Sequence, residues 1–239
     1  MLNIQFAIKE NELYILEANP RASRTMPFVA KVTKNQIIKA GTLIMLGHKI
    51  KDILKDTDYL SSKTNKIAVK KAIFPWSRFP AEDTMLGPEM KATGEVLGIG
   101  SKLGIALNKA YAAAGVEIGV KQQGIFITLS DEDKNKFLKT IRKYIDLEFK
   151  IYATEGTSEF LLKNNIESIK VGRADDEAPT SLTIMQKDLI SLVINTPTFA
   201  NEYTDGWKIR RLAHDSGVAV VSSVREAEAF IEAYVESNN

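Results

Sequence analysis

"GIFITLSDEDKNKFLKTIRKYI", residues 124–145, carries the two periods from which the fold is read. Residues 124–129 form a short apolar run bounded by polar residues, the pattern of a buried strand. Ser130 then stands at a helix N-cap position, and the acids Asp131, Glu132 and Asp133 suit the positive end of the helix dipole. A helix follows to residue 145. The same order recurs downstream. "FKIYAT" (149–154), "SIKV" (168–171), "SLVIN" (191–195) and "VAVV" (218–221) read as strands, with helical "GTSEFLLKNN", "DGWKIRRLAHDSG" and "SVREAEAFIEAYVES" between and after them. Five short apolar strands alternating with helices predict an α/β fold, a doubly wound parallel sheet of roughly 115 residues.

Upstream the texture differs. Apolar residues alternate from Ile4 to Ile8, and "ELYILEA" (12–18) resumes an extended pattern after the polar turn "KENE", which predicts a β-hairpin. "NQIIKAGTLIMLG" (35–47) reads as a helix with Gly47 as its C-cap. A polar stretch leads to the strand "IAVKKAIF" (67–74), then to "PWSRFPAEDTMLGPEM" (75–90), which holds three of the chain's seven prolines. "SKLGIALNKAYAAAG" (101–115) is again helical. The pattern changes near residues 115–122, so two domains are expected, 1–116 and 117–239. "GIGSKLG" (98–104) follows no strong strand and lacks an acidic ribose partner, so a dinucleotide-binding reading is discounted.

Composition excludes several function classes. The 239 residues include no cysteine, which removes disulfides, thiolate metal sites and cysteine nucleophiles. Two histidines, His48 and His214, leave little room for histidine catalysis. The net charge of +2 is spread along the chain, so no nucleic-acid partner is expected. No apolar run approaches the ~20 residues of a membrane span, and no membrane partner is expected. The N-terminus lacks a signal-peptide pattern, and a cytoplasmic location is expected.

Two sets of residues carry chemistry. In "LYILEANPRASR" (13–24), Glu17 and Asn19 share a strand face, and Gln5 of the partner strand can face them. One carboxylate with two amide oxygens is a hard-oxygen set suited to Mg²⁺ or Mn²⁺ bridging nucleotide phosphates. Arg21 and Arg24, aimed by the turn at Pro20, suit phosphate or transition-state charge. The second set lies where strands of the sheet end, the edge at which doubly wound folds collect ligands. Thr154, Gly156 and Thr157 sit between a strand and a helix start, an anion-binding arrangement. Lys134, Lys170, Asn195 and Thr196 join them from neighbouring elements.

Longer stretches resemble a known family. "QFAIKENELYILEANPRASRTMPFVAK" (5–31) is similar to the carboxyl end of an ATP-grasp domain in the carbamoyl-phosphate synthase large subunit. "LGPEMKATGEVLGIG" (86–100) resembles that family's LGPEM-x-STGEVMG segment. The likeness spans the whole chain and implies a partial α+β ATP-grasp domain followed by a regulatory domain of methylglyoxal-synthase-like fold. It implies a glutamine-dependent ligase of pyrimidine and arginine biosynthesis that phosphorylates carbamate with ATP. Gln5, Glu17 and Asn19 then match metal positions, and Arg21 and Arg24 match catalytic arginines. Lys134, Thr154, Thr157, Lys170, Asn195 and Thr196 match a pocket for uridine or inosine monophosphate (UMP or IMP). The implied partners are the remainder of the large subunit and the glutaminase small subunit.

Three features qualify the likeness. The chain begins within a strand, so a C-terminal fragment, from a split gene or a truncation, is expected, without synthase activity alone. The alternative is a stand-alone allosteric nucleotide-binding module with no catalytic role. Pro197 stands where relatives often have a second threonine, with Thr198 beside it. Lys71 stands where some relatives place a glutamate that binds ornithine, so no ornithine response is expected. An enzyme of the methylglyoxal-synthase type is disfavoured, because "INTPTF" and "ATEGTSE" lack the aspartates and histidine that proton abstraction needs.

Overall fold

Glycine at 124 followed by three residues that bury both faces of a strand requires cover above and below, and the chain supplies it. A computed structural model describes residues 1–53, 64–79, 82–85, 92–116, 124–172, 179–186, 189–197 and 204–238. The chain forms two compact units, Met1–Ala68 and Val69–Asn239.

The first unit opens with β1 (Asn3–Lys9) and β2 (Glu12–Asn19), an antiparallel hairpin. Glu10 and Asn11 both take positive φ, 53° and 64°, as the tight turn demands. Three helices follow: α1 (Thr25–Thr33), α2 (Ile37–Met45) and the short α3 (Ile50–Ile53). Helix α1 begins Thr-Met-Pro, and its proline falls in the first turn, where no hydrogen bond is lost. Gly47, at φ 95°, ends the region of α2 as expected.

The boundary between the units falls within β3 (Ile67–Ile73), which is followed by a 3₁₀ turn at Trp76–Arg78, β4 (Gly94–Gly100) and α4 (Leu103–Ala113). β3 and β4 pair as a two-stranded sheet. β4 corrects the reading of "GIGSKLG": Gly98 and Gly100 are strand residues. A Cβ on Gly98 would lie 1.9 Å from the Ala106 carbonyl oxygen, so glycine is needed for α4 to lie against the strand. The glycine pattern serves helix packing.

The main sheet comprises β5 (Gly124–Thr128), β6 (Lys150–Thr154), β7 (Ile169–Val171), β8 (Leu192–Asn195) and β9 (Ala219–Val221). All are parallel, in the order β7-β6-β5-β8-β9. Helices α5 (Asp131–Asp146), α6 (Glu155–Lys163), α7 (Ser181–Gln186), α8 (Asp205–Asp215) and α9 (Val224–Asn238) complete a doubly wound α/β fold. Alternation along β5 sorts the two faces. Ile125 and Ile127 pack with Phe137, Ile141 and Tyr144 of α5 and Phe230 and Ile231 of α9. Phe126 points the other way, into Ile184 and Met185 of α7 and Ile209 and Ala213 of α8. Each fully buried side chain of this size contributes about 1.5–3 kcal/mol.

Tyr111 of α4 joins the first of these clusters, and Gly104 of α4 donates its N–H to the Glu236 carboxylate at 2.7 Å. One compact unit therefore runs across the sequence-pattern boundary at 116, and residues 117–122 of the expected junction, 115–122, lie outside the described residues. Among the described residues no helix is long and apolar enough to cross a membrane.

Candidate functional site

The order β7-β6-β5-β8-β9 brings the carboxyl ends of β5, β6 and β7 to one edge, together with the first turn of α8. A cavity of about 630 Å³ opens there. Thr154, Gly156 and Lys170 line it, with Asp205, Gly206 and Lys208 opposite from α8. β6 runs into α6 with no intervening loop, so Thr154 becomes the α6 N-cap while Gly156 and Thr157 enter its first turn. Amide groups of that turn have no intrahelical acceptor and face the space where an anion would sit.

The six expected pocket residues separate into three roles. Thr154 and Lys170 line the cavity, and Lys170 forms an ion pair with Glu155. Lys134 reaches the rim: a Cβ on Gly156 would lie 4.0 Å from its ammonium, and Asp131 holds it at 2.6 Å. That hydrogen bond and charge keep the Asp131 carboxyl below its ordinary pKa. Thr157, Asn195 and Thr196 are buried behind the wall. Thr157 accepts from the Leu129 amide at 3.1 Å. The Thr196 hydroxyl accepts from the Ser130 amide at 2.9 Å. Asn195 accepts from the Arg210 guanidinium. These three side chains tie the strand ends together and do not line the cavity.

Ser130 departs from its expected role as a side-chain cap. It has N-cap dihedrals, yet its hydroxyl makes no capping bond to the helix. Instead the hydroxyl donates to the Asp133 carboxylate at 3.0 Å. Lys136 donates to the same carboxylate, and with Ser130 and Thr196 it outweighs desolvation and lowers the Asp133 pKa.

Asp205, Gly206 and Lys208 were absent from the sequence reading of the site. A signal for them exists: "TDG" at 204–206 repeats the hydroxyl–acid–glycine pattern of "TEG" at 154–156. Both triplets start helices, and Thr204 caps α8 by accepting from the Trp207 amide.

The hairpin set is brought together in the first unit. Gln5 and Glu17 are directly paired in the ladder, beside a bulge at Gln5/Phe6, and Asn3 pairs with Asn19. Asn19 donates to the Glu17 carboxylate at 2.8 Å on an exposed surface. A carboxylate and two side-chain amides on one face of the two-stranded hairpin have the chemistry of a donor set for a hard divalent cation. Arg21 donates to the Ala22 carbonyl at 3.1 Å, and Arg24 is the N-cap residue of α1. Arg21 and Arg24 thus follow the strand end on the turn that Pro20 opens.

Lys71 lies in a second cavity of about 280 Å³, beside Phe74, Trp76 and His214. Its ammonium sits 4.1 Å from the Tyr111 ring centroid, and the Tyr111 hydroxyl donates to Glu226 at 2.7 Å. Burial lowers the Lys71 pKa, against the pull of the Glu226 carboxylate. The cation has its counter-charge within the protein. Thr198, beside the Pro197 departure, lies outside the described residues.

Comparison with known proteins agrees with the doubly wound fold. Residues 136–222 match the family of MGS-like domains. The chain is 40% identical over 235 residues to the carbamoyl phosphate synthase large chain of Archaeoglobus fulgidus, covering 98% of this chain and 21% of that one. It is 37% identical over 246 residues to the "C-terminal section" of that large chain in Aquifex aeolicus, covering 98% and 46%. The corresponding section from Methanocaldococcus jannaschii is 38% identical over 242 residues, covering 98% and 39%. The chain thus spans less than half the length of these relatives. It is a homologue of the C-terminal part of the carbamoyl phosphate synthase large chain and carries an MGS-like domain.

Proposed function

We propose that this chain serves as the C-terminal part of a glutamine-dependent carbamoyl-phosphate synthase large subunit, and that its sheet domain is the regulatory module. The ligand proposed for the cavity at β5, β6 and β7 is a nucleoside monophosphate, UMP or IMP. One observation carries this reading: an MGS-like sheet whose strand ends enclose about 630 Å³ with Thr154, Gly156 and Lys170 on its wall. The α6 first turn and Thr154 receive the phosphate. Lys170 exchanges its Glu155 partner for the phosphate dianion, and Lys134 at the rim adds a second cation. Thr157, Asn195 and Thr196 hold the wall in place. The test is calorimetric titration with each nucleotide. Lys170→Ala is expected to weaken UMP or IMP binding at least about tenfold. Undetectable binding of both by the unaltered chain sinks the reading.

In the hairpin, Glu17, Asn19 and Gln5 would hold Mg²⁺ or Mn²⁺, which would supply positive charge to offset that of ATP phosphates. Arg21 and Arg24 orient and stabilise the phosphoryl group transferred to carbamate. In this role the chain works with the rest of the large subunit and with the glutaminase subunit, in pyrimidine or arginine synthesis. The exposure of Glu17 on the hairpin surface supports the view that these 239 residues alone form no carbamoyl phosphate. ATP-dependent product formation by the purified chain would overturn it. No ornithine binding is expected, because a ligand ammonium in the second cavity meets the cation of Lys71.

A further inference from the structure

We propose that α8 is a coupling rod: its first turn walls the nucleotide cavity, and Arg210 and Arg211 behind it grip Asp83 and the segment Trp76–Phe79. Ligand occupancy and the conformation of that segment are thereby linked. The inference rests on the nucleotide-binding reading above.

The grip is specific. Arg210 is buried, and its Nε donates to Asp83 Oδ1 at 2.9 Å while Nη2 donates to Asp83 Oδ2. Its Nη1 donates to Asn195 at the end of β8. Arg211 donates through Nη1 to the carbonyls of Trp76, at 3.2 Å, and Phe79, at 2.9 Å. Two successive arginines of one helix therefore bind a backbone turn and a carboxylate that precede them by more than 120 residues.

Burial makes the linkage stiff. A desolvated guanidinium left without its carboxylate or its amide oxygen is strongly disfavoured, so Asp83, Arg210 and Asn195 move together. The other end of the rod is equally close. A Cβ on Gly206 would lie 3.2 Å from Arg210 Nη1 and 3.3 Å from Asn195 Nδ2. Gly206 also lines the cavity. The turn that meets ligand is thus packed directly on the guanidinium that holds the segment. A helix of 11 residues spans about 16 Å and shifts as a unit. By linkage, anything the ligand does to the segment, the segment does to the ligand.

Hydrogen exchange on the full chain tests this. In the unaltered chain, saturating UMP or IMP, whichever binds, is expected to slow exchange at the Arg78 and Phe79 amides at least about fivefold. Those amides bond to Pro75 and Trp76 carbonyls. Asp83→Asn or Arg211→Lys should abolish that slowing. Arg211→Lys leaves the buried Arg210 pair intact and serves where Asp83→Asn unfolds the chain. Bound nucleotide with unchanged exchange at both amides overturns the coupling and leaves nucleotide binding standing. A ligand-free arm judges the coupling even where nucleotide binding fails. Arg211→Lys alone should speed exchange at the Trp207 and Lys208 amides, which bond to Thr204, at least about threefold. Equal rates there in the altered and unaltered chains overturn the coupling.

Discussion

β5 and β2 are both rich in apolar, β-branched and aromatic residues, yet they live in opposite surroundings. Ile125, Phe126 and Ile127 have no solvent exposure, whereas Leu13, Ile15 and Leu16 are more than 60% exposed. β5 has a parallel neighbour on each side and helices over both faces. β2 has one neighbour, β1, where Ile8 is itself 75% exposed. Apolar texture reports that a strand wants cover, and the surrounding elements decide whether it receives any. In one region the hydrophobic effect is spent on the fold. In the other, about half a dozen large side chains remain on the surface of their own unit.

The largest contrast should follow from truncating the same kind of side chain in each region. Phe126→Ala empties the space between α7 and α8 and is expected to destabilise the sheet domain by about 3–5 kcal/mol. Urea denaturation followed by tryptophan fluorescence measures this, because Trp207 sits on α8. A loss below about 1 kcal/mol would mean that the buried face of β5 is far less tightly packed than its surroundings imply. Next in size is Gly98→Ala. The new Cβ would meet the Ala106 carbonyl oxygen and the Ala110 amide, both backbone atoms of α4. Pushing α4 away should cost about 1–3 kcal/mol by the same measurement.

These two positions also mark what could be read from sequence. All five strands of the main sheet were legible, because short apolar runs between capped helices admit few other arrangements. The cavity wall was partly legible for the same reason: residues at strand ends share an edge, and Thr154 and Lys170 line one cavity there. β4 was hidden, because "GEVLGIG" has three glycines that lower strand propensity. The approach of α4 explains Gly98 and Gly100, whereas a Cβ on Gly94 would meet Ile73 of β3. Helices α1 and α7 were hidden too, one by its internal proline and the other by its six-residue length. The burial of Asn195 could not be read, since the Arg210 that occupies it comes from α8, 15 residues on.

A smaller effect belongs to the boundary between buried and exposed, the first turn of α5. Asp133 takes hydrogen bonds from Lys136 and Ser130, and its folded pKa lies below the unfolded one. A depressed carboxyl pKa adds stability above the unfolded value of about 3.9 and loses it as pH falls through the folded value. Asp133→Asn should therefore cost about 0.5–1 kcal/mol near pH 7. That difference should begin to shrink as pH drops below about 4 and vanish once pH falls below the folded value. A constant difference between pH 7 and pH 3 would assign the cost to packing instead.

The smallest expected effect is the most telling for the hairpin. Ile15 is paired with Phe6 across the ladder, and both side chains are at least half exposed. Ile15→Thr keeps the β-branch, and so the strand preference, while removing apolar surface. In the isolated chain the change should alter stability by no more than about 0.5 kcal/mol, the usual range for surface substitutions. The same change should matter when the chain is mixed with the remainder of a synthase large subunit, if that portion covers the strand. Pull-down yield or restored synthase activity should then fall several-fold while the stability of the isolated chain stays the same. A loss of 2 kcal/mol or more in the isolated chain would break the comparison, because it would show that the hairpin face is already packed as firmly as β5.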